Sequence, residues 1–406
     1  MQNKHVKLGM FIPFLAKGGA GRAVSRISEL LADDFELYII LFDESKIDFE
    51  YRGTIIDMNL RSVDENLIRK LIRSIKRVRA LKAIKKKYKL DVVISFLDIA
   101  NICNVLTRSK ACKAIVSVRG SILNYKADGI TDAIKKQILK RLYRRSDRVI
   151  TVSKVLRQEL IKRFSLPQDS VITIYNPFDQ ARIREQAEQE IGEDTKNFIH
   201  EKMVLITAGQ FVFAKGYWHL LKAFKTVNNK MPDTVLLICG EGEQEYKIKQ
   251  LINDLSLQDN VKILGFQKNL FSYMNVSDAY VLSSVTEGFP NVLVEAMACG
   301  LPVVAADCVS GPREILIDEP RLDETVSDVY RADYGILTAP LSPLENWDST
   351  QTEECEAHLA SAVELLLGDE ALLEHYSQMS KLRCAVFNNE ACKKAYTQAV
   401  SELIFH

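Results

Sequence analysis

The chain has 406 residues, 47% of them hydrophobic and 26% charged, with a formal net charge of +1. That length predicts two domains, each large enough for its own core, in an ordinary globular protein. No run of about 18 apolar residues occurs, which excludes a predicted membrane-spanning helix.

The first half alternates strand-like and helix-like runs. Strands are predicted at Val6–Ile12, Glu36–Leu41, Val92–Ser95, Ala114–Val118, Arg148–Val152 and Val171–Ile174. Helices are predicted at Gly21–Ala32, Glu65–Lys87, Ile99–Thr107, Asp132–Arg144 and Lys154–Phe164. Such alternation means a parallel sheet with helices on both faces. The N-terminus enters its first strand with no basic-then-apolar leader, so a cytoplasmic protein is expected. Asn176-Pro-Phe-Asp179 is turn chemistry that closes this half.

A polar, charge-rich segment, Gln180 to Lys202, is read as a connector to a second alternating half. Its strands are predicted at Met203–Ala208, Val235–Cys239, Val261–Leu264, Ala279–Leu282, Val303–Ala306 and Gly335–Leu337. Its helices are predicted at Tyr217–Asn228, Gln244–Leu255, Leu270–Asn275, Pro290–Cys299 and Pro312–Ile317. The acidic stretch Asp318 to Asp333 is read as a surface loop. Helical runs near Glu353–Leu367 and Ala371–Ile404 close the chain. The expected domains are therefore 1–177 and 178–380, with 381–406 as a terminal helix.

Doubly wound domains bind ligands outside the carboxyl ends of their strands. The key stretch follows one such strand and runs Ser283-Ser-Val-Thr-Glu-Gly-Phe-Pro-Asn-Val-Leu-Val-Glu-Ala-Met-Ala-Cys-Gly300. Pro290 suits a helix start and Gly300 a helix end. The amides of Phe289 to Val292 are helix-start donors, a ready anion site. Glu287 in the loop and Glu295 on the helix are poor phosphate ligands but good acceptors from sugar hydroxyls. The combination suggests a phosphorylated ligand that carries sugars. Two carboxylates alone would read as a capped helix with surface glutamates.

The string Glu287-Gly288-Phe289-Pro290-Asn291, the Glu-x7-Glu spacing to Glu295, and Gly311-Pro-Arg-Glu-Ile315 together resemble the family-4 retaining glycosyltransferases. That resemblance implies the GT-B fold, two doubly wound Rossmann-like domains facing across a cleft, with the last helix crossing back to the first domain. It implies that Gly18-Gly19 contacts the donor diphosphate or sugar. It implies that the loop Gly209-Gln210-Phe-Val-Phe-Ala-Lys215-Gly216 clamps the diphosphate through Lys215. Gln210 stands where the family usually has Arg, and an amide lacks the bidentate charged contact of a guanidinium. Gly240-Glu241-Gly242 and Gly265-Phe266-Gln267 are similar to loops that border the nucleoside. Arg119, in Ser117-Val-Arg-Gly-Ser121, stands where many relatives carry a reaction-centre His. It can stabilise the departing diphosphate or hold an anionic acceptor, but it cannot act as a base. A solvated lysine and a surface arginine are the plain alternatives for Lys215 and Arg119. The resemblance assigns the ribose diol to Glu295 and donor sugar hydroxyls to Glu287.

The implied activity is retaining transfer of a hexose or N-acetylhexosamine from a nucleotide sugar, UDP-linked, to a lipid-linked or glycan acceptor in bacterial surface polysaccharide synthesis. No Asp-x-Asp motif or His cluster has ligand spacing, so neither metal nor cofactor is expected. A sugar-nucleotide 2-epimerase of the same architecture and a non-catalytic membrane-bound partner of another transferase remain as alternatives. Eight scattered cysteines without a CxxC pair read as free thiols in a reducing compartment.

The charge is unevenly spread. Residues 1–176 carry +17 and the remainder −16. Leu67 to Lys89 holds 11 Lys and Arg and no acid. Its apolar residues Leu67, Leu71, Ile75, Val78, Leu81 and Ile84 recur at helical spacing and make one helix face apolar, which is compatible with a surface helix packed on its sheet. A second basic run spans 135–148. Without interleaved aromatics, nucleic acid is not the expected partner. The expectation is peripheral binding to the anionic inner face of the membrane through helices 67–89 and 135–148.

Overall fold

The computed structural model describes residues 6–15, 18–45, 47–61, 67–120 and 130–405, with backbone alone at 67–68, 130–133 and 135. Residues 65 and 66 of the predicted second helix, and Ser121, lie outside them. The chain divides into two units, 1–177 with 389–406, and 178–388.

The first unit contains strands β1 (Lys7–Ile12), β2 (Glu36–Leu41), β3 (Thr54–Asp57), β4 (Val92–Phe96), β5 (Lys113–Val118), β6 (Arg148–Thr151) and β7 (Val171–Thr173). Their order is β3-β2-β1-β4-β5-β6-β7, and every pairing is parallel. Strands such as Val-Val-Ile-Ser-Phe in β4 are buried throughout, as a sheet covered on both faces requires. The connecting helices are α1 (Gly19–Leu31), α2 (Leu67–Tyr88), α3 (Asp98–Leu106), α4 (Ile130–Tyr143) and α5 (Lys154–Phe164). The edge strand β3 escapes sequence reading because it has only four residues and an exposed first residue, too short for a periodic signal.

The second unit opens with α6 (Gln180–Ala187) and α7 (Glu193–Ile199), so the segment 180–202 is not a plain connector. Asp179 caps α6 by accepting from the Arg182 amide at 3.0 Å, and Ile183 and Ala187, four residues apart, are buried. Strands β8 (Met203–Ala208), β9 (Thr234–Cys239), β10 (Val261–Gly265), β11 (Ala279–Leu282), β12 (Val303–Ala306), β13 (Tyr330–Ala332) and β14 (Gly335–Thr338) form a sheet ordered β10-β9-β8-β11-β12-β14-β13. Only β13 is antiparallel, and it turns the end of the supposed loop 318–333 into an edge strand. Helices α8 (Tyr217–Lys230), α9 (Glu245–Asp254), α10 (Phe271–Asn275), α11 (Asn291–Ala298), α12 (Pro312–Leu316), α13 (Glu354–Leu367) and α14 (Glu370–Cys384) complete it.

The last helix, α15 (Asn389–Phe405), belongs to the first unit. Cys392, Tyr396, Ala399 and Val400 join its core, and Arg148 donates to Ala399 O at 3.1 Å and Glu402 Oε2 at 2.7 Å. The division falls at 389 and not at 381. Residues 381–384 continue α14, where Ser380 donates to Leu301 O at 2.7 Å and Arg383 to Ile315 O at 2.7 Å, inside the second unit.

The basic helix α2 is built differently from its sequence reading. Leu81 is buried and Val78 and Ile84 are partly so, but Leu71, Ile72 and Ile75 are exposed by 63%, 48% and 45%. Two of its cations point inward instead. Arg77 lies 3.9 Å from the centre of the Phe42 ring and donates to Leu60 O at 2.9 Å. Lys85 donates to Asn104 Oδ1 at 2.7 Å. The outward side therefore mixes apolar residues with Lys76, Arg79, Lys82 and Lys86. On α4, Ile134 and Ile138 are likewise exposed. Among the described residues, no helix is long and apolar enough to cross a membrane.

Candidate functional site

In the second unit the winding reverses between β8 and β11, which are neighbours in the sheet. Open sheets of this kind take ligands outside the carboxyl ends of such strands. The loop after β8 carries Gly209, Gln210 and Lys215. The loop after β11 carries Ser283, Ser284 and Glu287. The fold thus brings Lys215 and Glu287, 72 residues apart, to 2.5 Å between Nζ and Oε1. Their side chains are 21% and 12% exposed, so the pair is shielded but open on one side.

The two loops are fixed to one another through their backbones. Val285 N donates to Ala214 O at 2.9 Å, and Ser283 Oγ to Lys215 O at 3.0 Å. Gly216 makes this approach possible. Its φ is +59°, and a Cβ there would lie 2.3 Å from Ser283 O. Glu287 is held independently of Lys215, since Ser284 Oγ donates to its Oε1 at 2.7 Å. Ser310, from the loop after β12, donates to the carbonyls of Glu287 at 2.5 Å and Gly288 at 3.1 Å. Gly311 then packs on Pro290. With φ +100°, it could carry a Cβ only 2.3 Å from Pro290 Cδ. Sequence reasoning missed Ser284 and Ser310 as site residues, although Ser284 lies inside the stretch Ser283 to Gly300 and Ser310 directly precedes Gly311.

The other expected donor residues of the second unit lie on its neighbouring strand-end loops and on α11. Pro290 is the cap residue preceding α11, one position earlier than a first-turn proline. Gly288 and Phe289 are buried and Asn291 is partly exposed. The Phe289 ring packs against Phe387, 5.5 Å between centroids. Glu295 sits on α11 at 1% exposure, among the least accessible of the set. Gln210 and Glu241 are exposed at adjacent strand ends, and Phe211 N donates to Glu241 O at 2.9 Å. Gly240 N donates to Gly265 O at 2.8 Å, which ties the β9 and β10 loops. Gln267 uses its side-chain amide on Leu264 O at 2.5 Å, in its own turn.

The first unit repeats the geometry with other residues. Gly18, at φ +138°, precedes Gly19, the first residue of α1, and both lie past β1. Arg119 lies past β5. Its guanidinium donates to Ser117 Oγ at 3.3 Å and to Asn176 Oδ1, and sits 5.6 Å from the Phe96 ring centre. Much of its hydrogen-bonding fork is thus used in holding the rim together.

Among the described residues, His219, Glu353 and Glu356 lie close enough to hold an ion. The groups of this cluster are already engaged with protein neighbours. The two ring nitrogens of His219 face Glu356 Oε1 at 2.8 Å and Ser342 O at 3.0 Å, and Lys222 Nζ lies 3.7 Å from the same Glu356 oxygen. Both ring nitrogens that a metal would need thus already lie within hydrogen-bond distance of protein oxygens. All eight cysteines are free. Burial pushes the Cys239, Cys299 and Cys392 thiols up to about 12.

Two family profiles match, "Glycosyltransferase Family 4" over residues 17–182 and "Glycosyl transferases group 1" over 189–328. An uncharacterized glycosyltransferase of Methanocaldococcus jannaschii is 31% identical over 314 residues, 75% of this chain and 77% of the relative. An N-acetylgalactosamine-N,N'-diacetylbacillosaminyl-diphospho-undecaprenol 4-alpha-N-acetylgalactosaminyltransferase of Campylobacter jejuni is 26% identical, covering 94% of this chain and 96% of its own. Among solved structures, Anabaena HepE in complex with UDP superposes with a TM-score of 0.73 at 17% identity, covering 98% and 100% of the two chains. Sucrose-phosphate synthase from Thermosynechococcus elongatus gives 0.75 at 20%, covering 98% and 99%. The chain belongs to the glycosyltransferases, and its two parallel-sheet units have the GT-B fold.

Proposed function

We propose that this glycosyltransferase moves a hexose or N-acetylhexosamine from a UDP-sugar to a lipid-linked or glycan acceptor in bacterial surface polysaccharide synthesis, with retention at the anomeric carbon. The observation that carries the reading is the Lys215–Glu287 pair at the reversal point of the second sheet. Without ligand, ammonium and carboxylate neutralise each other. An arriving diphosphate, with more negative charge than one carboxylate, competes for Lys215. Glu287, still held by Ser284, then turns its acceptors to the sugar hydroxyls. Lys215 stabilises the charge that grows on the diphosphate as its bond to the sugar breaks. Glu295 takes the ribose diol, and Gln210, Glu241 and Gln267 border the nucleotide. UDP is favoured because HepE was solved with UDP and the Campylobacter relative is named for an N-acetylgalactosamine transfer onto a diphospho-undecaprenol.

The reading includes metal independence, since Lys215 and helix-start amides supply the positive field. Activity is expected to persist in excess EDTA; loss restored by Mg²⁺ or Mn²⁺ would refute that element. It also includes peripheral attachment to the inner membrane face through α2 and α4, with Leu71, Ile72 and Ile75 entering the acyl boundary among lysines. Radiolabelled UDP-sugars incubated with membrane lipid extract test the whole. Label in lipid supports transfer. Interconversion of free UDP-sugar would make the protein an epimerase, and no turnover alongside a copurified transferase would make it a partner subunit.

A further inference from the structure

We propose that Asp98 is the residue that holds the acceptor hydroxyl for transfer, positioned by a buried hydrogen-bonded chain through Asn101 and Tyr143. The proposal rests on the transferase reading above and extends it to the first unit. In that sheet the winding reverses between β1 and β4, which are adjacent. The crevice at their carboxyl ends is where an open sheet takes its ligand. Leu97 and Asp98 are the first residues beyond β4. The loop beyond β1 carries Gly18 and Gly19, and Arg119, beyond β5 on the other side, stacks on Phe96, the last residue of β4.

A chain of buried polar groups ends on Asp98. Asn104 Nδ2 donates to Ser95 Oγ at 3.0 Å, and Ser95 Oγ donates to Asn101 Oδ1 at 2.8 Å. Asn101 Nδ2 donates to Tyr143 Oη at 3.2 Å, and that hydroxyl donates to Asp98 Oδ1 at 3.4 Å. Ser95, Asn101, Asn104 and Tyr143 are all at most 3% exposed. Burying four polar side chains is expensive unless each is satisfied, and these are satisfied by one another together with the carbonyls of Val93, Ile115 and Ser117. The single outlet of the chain at the rim is a carboxylate. The residue in front of it, Leu97, sits at φ 72° and ψ 152°, a region that is essentially glycine's. Leu97 and Ile99 are 43% and 47% exposed, so the carboxylate stands between two apolar side chains offered to a partner. A sugar hydroxyl on an apolar carrier matches both features.

In the transfer one C–O bond forms at the anomeric carbon and one breaks. Asp98 accepts a hydrogen bond from the attacking hydroxyl and fixes its direction. The hydroxyl proton leaves with the phosphate oxygen released from the sugar. Asn101 and Tyr143 are positioning residues.

The test uses the full chain with membrane lipid extract and whichever of UDP-glucose, UDP-galactose, UDP-N-acetylglucosamine or UDP-N-acetylgalactosamine the wild type transfers. Three quantities are read: transfer to lipid, hydrolysis of the same UDP-sugar without extract, and UDP affinity by calorimetry. Asp98→Ala is expected to lower transfer roughly 10²-fold, the scale of a misoriented reactant. Hydrolysis and UDP affinity are expected to stay within about twofold, because both are donor properties. Asp98→Asn, which keeps shape and the start of α3, carries the test should the alanine variant melt early. Tyr143→Phe is expected to raise the acceptor KM several-fold with UDP affinity unchanged. Undiminished transfer in Asp98→Asn and Asp98→Ala, or an equal fall in transfer and hydrolysis, would overturn the assignment. A wild type that transfers from none of the donors would overturn the functional reading itself, and the assignment with it.

Discussion

The two units wind their first five strands in the same order and finish them in different chemistry. In the second unit, the loops at the reversal point meet through an ion pair, Lys215 with Glu287, whose members are also held by Ser283, Ser284 and Ser310. In the first unit, the corresponding loops offer two glycines, a carboxylate on a strained turn, and an arginine engaged with neutral partners. The charge follows the same division, +17 over residues 1–176 and −16 over the rest. A shared scaffold thus decides where ligands sit, and the loops decide which ligands. The second unit is built for a ligand carrying its own negative charge. The first presents its cations mainly on outer helices, away from the strand ends.

The strongest way to break that contrast is to move the charge. Reversing Lys76, Arg79, Lys82 and Lys86 to Glu is expected to lower partition onto vesicles containing anionic lipid by on the order of 10³-fold, at about 1 kcal/mol per residue near the surface. UDP affinity should not change. Cosedimentation at two salt concentrations checks it: wild-type binding falls with salt, and the variant stays in solution. Equal binding of the two proteins would assign α2 to solvent. Arg77 and Lys85 are left out because both are buried.

A smaller effect separates the carboxylates of the second rim. Lys215→Ala is expected to cut kcat/KM about 10²-fold, near 3 kcal/mol. Glu295→Ala should weaken UDP itself by roughly 1.5–3 kcal/mol, the scale of a hydrogen bond to a charged group. Glu287→Ala should spare UDP and impair turnover of the intact sugar nucleotide. Isothermal titration with UDP and with the UDP-sugar distinguishes them. Because Glu295 is almost covered, a variant that melts early yet binds UDP normally would make it a core residue.

The same contrast explains what was legible in the sequence. Glu287 to Glu295 is contiguous, and its neighbours are the glycines, proline and serines that shape a strand-loop-helix turn, so the second rim could be read directly. The partnership of Lys215 with Glu287 spans 72 residues, and only the neighbouring positions of β8 and β11 bring them together. The first rim was harder to read. Ser95, Asn101, Asn104 and Tyr143 look like ordinary polar residues in apolar runs until the fold lines them up. Asp98 looks like a helix-start aspartate. The apolar spacing of α2 gave the helix and the buried face of its second half, with Val78, Leu81 and Ile84, but periodicity counts positions and does not know where the sheet beneath ends. Leu71, Ile72 and Ile75 therefore stayed outside, and Arg77 and Lys85 went in.

Lys85 gives the subtlest test, because it anchors the buried polar chain of the first unit with only neutral partners. Burial lowers its pKa from 10.5 to about 8, against smaller opposing influences from Cys112, Asp147 and Cys103. Below pH 8 folded and unfolded states both hold the proton, and the folded state carries the cost of a charge in its interior. Between pH 8 and 10.5 the folded lysine is neutral and the unfolded one still protonated, so unfolding takes up a proton. Raising the pH then opposes unfolding, and the contribution of Lys85 to stability grows through that window. From pH 7.5 to 9.5 the gain is expected to be about 2 kcal/mol relative to Lys85→Met. Comparison with the variant is needed because the buried thiols act in the opposite sense. Cys103 and Cys112 are raised to about 11, so above their ordinary pKa they lose protons more readily when unfolded, which favours unfolding as pH rises. That trend is common to both proteins and largely cancels. Urea melts followed by circular dichroism report the whole chain. Emission from Trp218 and Trp347, the only tryptophans, marks the second unit's own transition. The pH-dependent difference should appear in the transition that tryptophan does not see. A difference of the same size in both transitions would mean that the two units unfold as one, and a flat difference across the window would mean that Lys85 keeps its proton in the core.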